Sequence, residues 1–355
     1  MSKKRIIYEI YFPAFCSDLK DMCDKLDYVE ELGATSIWFT PIFESPSEHG
    51  YNVSDYLSIK KQYGTFEDFD KLVSKAHDKG IEIFLDLVLC HTDYHHELFK
   101  ESIEGKNDCY FWADTQINNQ WRYCFENKKF YYAPWSHEMC ALNGSSKKVR
   151  DMITEVVKFW LERGVDGFRL DAVPYISYGC DPIEFWGWFS QMVHEIKSDA
   201  YLVAEAWDTY EVSNKYAKTI GKSFNFEQSG WIKHHVNTGE PLVIKNDPQY
   251  SVNFLDNHDQ TRISNSVGHN MDKLFKAVDV LFSLGGDVCI YYGDEIAMGM
   301  YQDCHVKEGG HGDWKVRQQM EWTRVEYQRK DPNSLFNYYK KLIREYNKEE
   351  NYAKL

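Results

Sequence analysis

The run Val156-Val-Lys-Phe-Trp-Leu-Glu-Arg-Gly-Val-Asp-Gly-Phe-Arg-Leu170 joins two structural periods through one glycine. Upstream and within it, Val149, Met152, Ile153, Val156, Val157, Trp160 and Leu161 recur at helical spacing, which predicts an amphipathic helix. Gly164 follows, and a glycine just past a helix supplies the left-handed cap conformation. Val165–Leu170 then reads as a short strand without clean alternation, the pattern of a parallel strand buried on both faces.

The same unit recurs on either side. Leu19, Met22, Leu26, Val29 and Leu32 lead through Gly33 to a strand at Ser36–Thr40. Thr65 with Asp68 has the form of a capping box before Phe66, Phe69, Leu72, Val73 and Ala76, and Gly80 precedes the apolar run Ile81–Leu89. Tyr201–Ala204, Ser223–Phe226, Tyr250–Leu255 and Val288–Tyr292 read as later strands, and Ile6–Tyr11 as the first. Asp331 and Pro332 are the expected cap and first turn of a last helix carrying Leu335, Tyr338, Tyr339, Leu342 and Ile343. Alternating β and α units point to a parallel α/β sheet, and eight of them to a (β/α)8 barrel. Residues 92–148 break the rhythm. Rich in Tyr, Phe and Trp, they read as a small irregular subdomain inserted after strand three, leaving 1–91 and 149–355 as the barrel.

Bulk properties bound the rest. The 355 residues carry a formal charge of -14, scattered along the chain, which argues against nucleic-acid binding because phosphate contacts need clustered Lys and Arg. Aromatics make up 16% of residues, enough for an aromatic core and also for stacking on sugar rings. The nine cysteines show neither CxxC nor zinc spacing and read as buried, reduced thiols. Lys3, Lys4 and Arg5 give a basic start, but Glu9 interrupts the apolar run behind them, unlike a secretory signal. No stretch of about 18 apolar residues exists, so no membrane span is expected, and the location read from this is cytoplasmic.

In a parallel barrel, catalytic groups sit at the C-terminal ends of strands. Those ends carry Asp86 and His91 on strand three, Arg169 and Asp171 on strand four, Glu205 on strand five, and Asp256, Asn257, His258 and Asp259 on strand seven. Glycoside cleavage needs one carboxylate as nucleophile and a second as proton donor. Arg169 lies two positions before Asp171, hence on the same side of the strand, where it keeps that carboxylate ionised.

Asp86-Leu-Val-Leu-Cys-His91, Gly164-Val-Asp-Gly-Phe-Arg-Leu-Asp-Ala-Val173, Val203-Ala-Glu-Ala-Trp207 and Phe254-Leu-Asp-Asn-His-Asp-Gln260 resemble, in order, the four signature regions of the α-amylase family of glycoside hydrolases. His49-Gly-Tyr-Asn-Val-Ser-Asp-Tyr56 and Tyr291-Tyr-Gly-Asp-Glu295 resemble further family segments. The resemblance implies a retaining double displacement with Asp171 as nucleophile, Glu205 as acid/base and Asp259 binding sugar hydroxyls in the transition state. It further implies that His91 and His258 hydrogen-bond the sugar, that Tyr51 stacks beneath it, that Arg169 orients Asp171 with Asp86 in support, and that Arg262 lines the same pocket. Residues 92–148 would form one wall of the cleft.

The chain also departs from the family. Many relatives bind calcium through an Asn before the first-region His and an acidic residue in the insertion; here Cys90 and the run Cys140-Ala-Leu-Asn143 stand there. Calcium prefers hard oxygen ligands, so no structural metal and no cofactor are expected. The chain stops at Leu355 without the family's usual C-terminal β-sandwich, and self-association into a homo-oligomer would be one way to cover the surface left bare. Ala172, Val173 and Pro174 favour, by resemblance, short α-1,4-linked maltooligosaccharides as the oligosaccharide substrate. A glucan or glucosyl transferase, or an isomerase, would use the same residues, and a non-catalytic transporter-associated subunit would have lost some of them.

Overall fold

The computed structural model describes residues 4–300 and 315–352; Lys3, Cys304 and Leu355 lie outside them. Eight parallel strands close into a barrel in the order β1-β8-β7-β6-β5-β4-β3-β2. They are β1 (Ile6–Ile10), β2 (Ser36–Phe39), β3 (Glu82–Leu87), β4 (Gly167–Leu170), β5 (Tyr201–Ala204), β6 (Lys222–Phe224), β7 (Ser251–Phe254) and β8 (Asp287–Tyr291). The main outer helix after each strand is α1 (Leu19–Leu32), α2 (Phe66–Asp78), α3 (Lys147–Glu162), α4 (Pro182–Ile196), α5 (Tyr210–Ile220), α6 (Phe226–Thr238), α7 (Met271–Ser283) and α8 (Leu335–Tyr352), the last preceded by a further helix at Trp322–Lys330. All eight strands expected from the sequence are present; Tyr201–Ala204 has the expected bounds, and the other seven are trimmed or shifted by one to a few residues at their ends.

Local chemistry explains the punctuation. Thr65 and Asp68 form the reciprocal capping box at the start of α2. Gly33 ends α1 at φ 95°, a conformation that costs a side chain with a Cβ. Gly167 answers a different demand, since a Cβ there would stand 2.2 Å from the Tyr201 carbonyl oxygen. The barrel interior is filled by Ile7, Trp38, Phe84, Tyr201, Val203, Phe224, Val252, Phe254 and Cys289, with the Tyr201 ring stacked on Phe84 at 4.7 Å. The interior is therefore a packed core, and the polar groups gather above it at the strands' C-terminal ends.

Three details differ from expectation. The cap of α8 is Ser334, whose Oγ accepts from the Asn337 N–H, while Asp331 closes the turn before it through the Asn333 N–H. The segment after β3 is more regular than its sequence suggests. It holds a helix at Glu97–Ile103 and a three-stranded antiparallel sheet in which Lys129–Tyr132 lies between Trp112–Ala113 and Trp121–Cys124. A further short hairpin, Phe43–Glu44 with Asp55–Ile59, follows β2 and carries Tyr51 between its strands. The eight described cysteines are free thiols, six buried and two partly so. The described residues contain no C-terminal β-sandwich, and none of their helices is long and apolar enough to cross a membrane.

Candidate active site

One guanidinium organises the barrel mouth. Register puts Arg169 beside Asp86 across the β4–β3 pair. Its Nη1 donates to Asp86 Oδ1 at 2.7 Å and to Asp171 Oδ1 at 2.6 Å, and its Nη2 lies 3.0 Å from Glu205 Oε2. Arg169 is 1% exposed and sits over the Trp38 ring at 5.0 Å. Three carboxylates thus share one cation in a dry environment, and their protonation is coupled. Burial raises both Asp171 and Glu205 above the ordinary carboxylate range, and Arg169 opposes that rise in each. Burial lifts Asp86 to about 7, again against Arg169.

The backbone after Asp171 is bent to serve this cluster. Ala172 adopts φ 46°, a left-handed conformation uncommon for a residue with a Cβ. In that conformation its N–H donates to Glu205 Oε2 at 2.8 Å. With Oε2 held by Ala172 and Arg169, Oε1 is the oxygen left to carry a proton.

A second network holds Asp259. His258 Nδ1 lies 2.6 Å from Glu9 Oε1, and its Nε2 lies 3.0 Å from Asp259 Oδ2 and 2.6 Å from the Tyr51 hydroxyl. Arg317 Nη2 donates to Asp259 Oδ1 at 2.5 Å, and its Nε donates to the His258 carbonyl at 3.0 Å. Burial would lower His258, but Asp259 and Glu9 raise it to about 10, so the ring is an imidazolium at neutral pH. Burial likewise would raise Asp259, yet His258 and Arg317 hold it well below the usual carboxylate range. Tyr51 links the two networks: its ring stacks on His258 at 5.6 Å, and its hydroxyl donates to Asp86 Oδ2 at 2.9 Å.

Asp86, Asp171, Glu205, Asp259, Arg169, Tyr51 and His258 are therefore brought together. His91 lies on the rim of the same region, its Nε2 2.9 Å from the Tyr51 carbonyl and its ring 4.8 Å from Trp135. Burial lowers it to about 4, so it is neutral. With Nε2 donating to the carbonyl, Nδ1 is a bare acceptor, and it has no protein partner. His258 differs from expectation, because it is fully buried and both nitrogens engage protein groups instead of standing free for sugar. Arg262 is a correction. It is 0% exposed, packed between Tyr291 and Tyr292, and bonded to the Tyr292 carbonyl and Asp294. It neutralises a buried carboxyl pair, Asp256 and Asp294, behind the mouth and does not line it.

Sequence reasoning missed Glu9 and Arg317. Glu9 looked like an interruption of the first apolar run; a lone carboxylate inside a barrel strand that points to the mouth was the available signal. Arg317 follows the barrel's last strand at a distance, and nothing in its local pattern separates it from Arg324 or Arg329.

The positions that hold calcium in relatives do not fit a hard cation. Cys90 Sγ donates to the Ala172 carbonyl at 3.2 Å, and Asn143 uses both side-chain atoms internally, Nδ2 to the Asp108 carbonyl and Oδ1 from the Ser145 N–H. Dialysis against EDTA is accordingly expected to change neither Tm nor activity. A fall in Tm that calcium reverses would contradict this reading of the loop.

The Alpha-amylase catalytic-domain model matches residues 13–354. The chain belongs to the α-amylase family. It is 37% identical to Alpha-amylase 3 of Dictyoglomus thermophilum, over 96% of this chain and 76% of that one. It is 29% identical to a 4-alpha-glucanotransferase of Thermotoga maritima, over 93% and 84% respectively. Among solved structures it resembles the α-amylase of H. orenii with a TM-score of 0.86 and 31% identity, over 98% of this chain and 83% of that one. This α-amylase-family chain thus sits among glycosidases and transferases alike.

Proposed function

We propose that this α-amylase-family chain is a retaining glycoside hydrolase acting on α-1,4-linked maltooligosaccharides by double displacement. The observation that carries the reading is the single Arg169 guanidinium joining Asp171 and Glu205, with Glu205 Oε2 held further by the Ala172 N–H so that Oε1 is left to carry the proton. Asp171 Oδ2 attacks the anomeric carbon while the glycosidic C–O bond breaks and the Glu205 proton moves to the leaving oxygen. Water then gives its proton to Glu205 as its oxygen displaces Asp171 from the glycosyl ester. Asp259, kept ionised by His258 and Arg317, accepts sugar hydroxyls more strongly as positive charge develops at the ring. His258 acts through Asp259 and Tyr51, and His91 with Trp135 closes one side of the sugar site.

The test is incubation with maltoheptaose beside an Asp171→Asn control, with products followed over time. Shorter maltooligosaccharides absent from the control support the reading. Early products longer than the substrate would favour a transferase, the activity named for the Thermotoga relative. No products at all would overturn it.

Two further outcomes follow from the charges. Activity should be bell-shaped in pH, lost on the acid side as Asp171 gains a proton and on the alkaline side as Glu205 loses one. The alkaline limb should lie above an ordinary glutamate because burial raises Glu205. A kcat/KM profile without an alkaline limb would remove Glu205 as the acid. Arg317→Ala should lower kcat by on the order of 10²-fold, the usual cost of deleting one preorganised charge partner. Arg317→Lys should restore part of that; equal losses of kcat in a folded Ala variant and a folded Lys variant would contradict a charge role.

A further inference from the structure

A carboxylate inside a barrel strand is costly to bury unless a partner offsets that cost. Glu9 is such a group. It is 0% exposed on β1, on the same face of the strand as Ile7, which fills the barrel interior. The side chain's hydrogen bonds go to one residue. Oε1 accepts from the His258 main-chain N–H at 3.1 Å and faces His258 Nδ1 at 2.6 Å. Oε2 has no hydrogen-bond partner among the described residues.

The far side of His258 is held as firmly. Nε2 faces Asp259 Oδ2 at 3.0 Å and the Tyr51 oxygen at 2.6 Å. Tyr51 gives its own hydroxyl proton to Asp86, so its oxygen is the acceptor toward the ring. Both ring nitrogens therefore point at acceptors, and hydrogen bonding alone requires a proton on each. The ring is boxed by the parallel Tyr51 ring at 5.6 Å and by Trp38, set edgewise at 5.7 Å.

Glu9, His258, Asp259 and Arg317 thus form a line of alternating charge from the barrel interior to the rim. The main chain follows the same line. Glu9 holds the His258 N–H from inside, and Arg317 Nε holds the His258 carbonyl from outside, so both peptide groups leading to Asp259 are fixed. Without Glu9 the inner end of the line is a cation lacking its counter-charge.

We propose that Glu9 is a positioning residue for the reaction: from inside the barrel it fixes the ring and main chain of His258, and through them the Asp259 carboxylate and Tyr51 ring that meet the sugar. The proposal rests on the α-glucan reading above. It gives a strand residue that never touches substrate a part in the reaction, beyond any part in holding the barrel together.

The test compares the full chain with Glu9→Gln, which keeps the side chain's shape and an acceptor oxygen but removes the charge. Proton NMR of protein labelled with nitrogen-15 histidine, without substrate, reads the ring. The parent should show both His258 ring N–H protons at pH 7, assigned by their loss in His258→Gln. Glu9, Asp259 and Tyr51 touch that ring, Asp86 and Asp171 feel its charge, and Arg317 bonds its carbonyl. Glu9→Gln leaves Asp259 as the one carboxylate bonded to the ring, so a ring proton should be lost at lower pH than in the parent. On maltoheptaose the variant should lose on the order of 10²-fold in kcat, the scale of one preorganised electrostatic contact, with KM little changed. An unchanged kcat in the folded variant would overturn the proposal. A lower kcat with unchanged ring protons would assign Glu9 to packing and overturn it equally. The parent spectrum stands apart from any question of whether the variant folds: a single ring N–H proton at pH 7 would mean a neutral ring and contradict the charge line. No cleavage of maltoheptaose by the parent would overturn the substrate reading instead; the ring protons are read without substrate and do not depend on it.

Discussion

Asp171→Asn should lower kcat on maltoheptaose by on the order of 10⁴-fold or more, the scale seen when a nucleophile is removed from a preorganised site. The amide is nearly isosteric with the carboxylate and its oxygen still accepts from Arg169, so the network around Asp86 and Glu205 keeps its cation. Binding should therefore survive while ester formation does not. Losing the Asp171 charge also removes one of the groups that raise Glu205, so any residual activity should show its alkaline limb shifted to lower pH. Single-turnover kinetics with equilibrium binding separates these effects. A loss of binding as large as the loss of turnover would argue that Asp171 only holds the fold.

Arg169→Met should have the largest effect on stability. The guanidinium is buried, fills space against Trp38, and is the cation shared by Asp86, Asp171 and Glu205. Removing one partner from a buried charge network typically costs about 3–5 kcal/mol, because the remaining charges are left uncompensated. The pH dependence gives the cause. Without Arg169 the three buried carboxyls have folded-state pKa values above those of the unfolded chain, where Asp and Glu titrate at about 4. The folded state then binds more protons, so the variant's deficit should be greatest at neutral pH and shrink as the pH falls toward that value. Urea unfolding at pH 7 and pH 5 reads this directly. A deficit independent of pH would assign the loss to packing.

The barrel is legible in the sequence for a physical reason. Strands buried on both faces must be short and largely apolar, and the helix–glycine–strand unit repeats that demand. The limits of this reading are equally physical. Ile81–Leu89 reads as one apolar run, yet only Glu82–Leu87 pair in the barrel, because Val88, Leu89 and Cys90 carry the chain across the mouth toward His91. The helix Trp322–Lys330 buries only Val325 among its own residues and so shows no apolar stripe to find. The sheet after β3 is hidden for the opposite reason. Aromatics on both faces erase the alternation that announces a half-buried strand. At the site, residues at strand ends were readable because the barrel fixes where strands end. Arg317 was not, because it reaches Asp259 from a connecting segment whose path the periodicity does not define. Arg262 shows the converse: position near a motif does not decide on which side of the strand ends a long side chain lies.

The most direct test of the double displacement is the anomeric configuration of the first product. Proton NMR of maltotriose or maltoheptaose during the first minutes, before mutarotation, distinguishes the two outcomes. The proposed double displacement through Asp171 and Glu205 predicts that the α-anomer appears first and the β-anomer only later, as mutarotation proceeds. Initial accumulation of the β-anomer would mean direct attack by water, and would contradict Asp171 as the nucleophile.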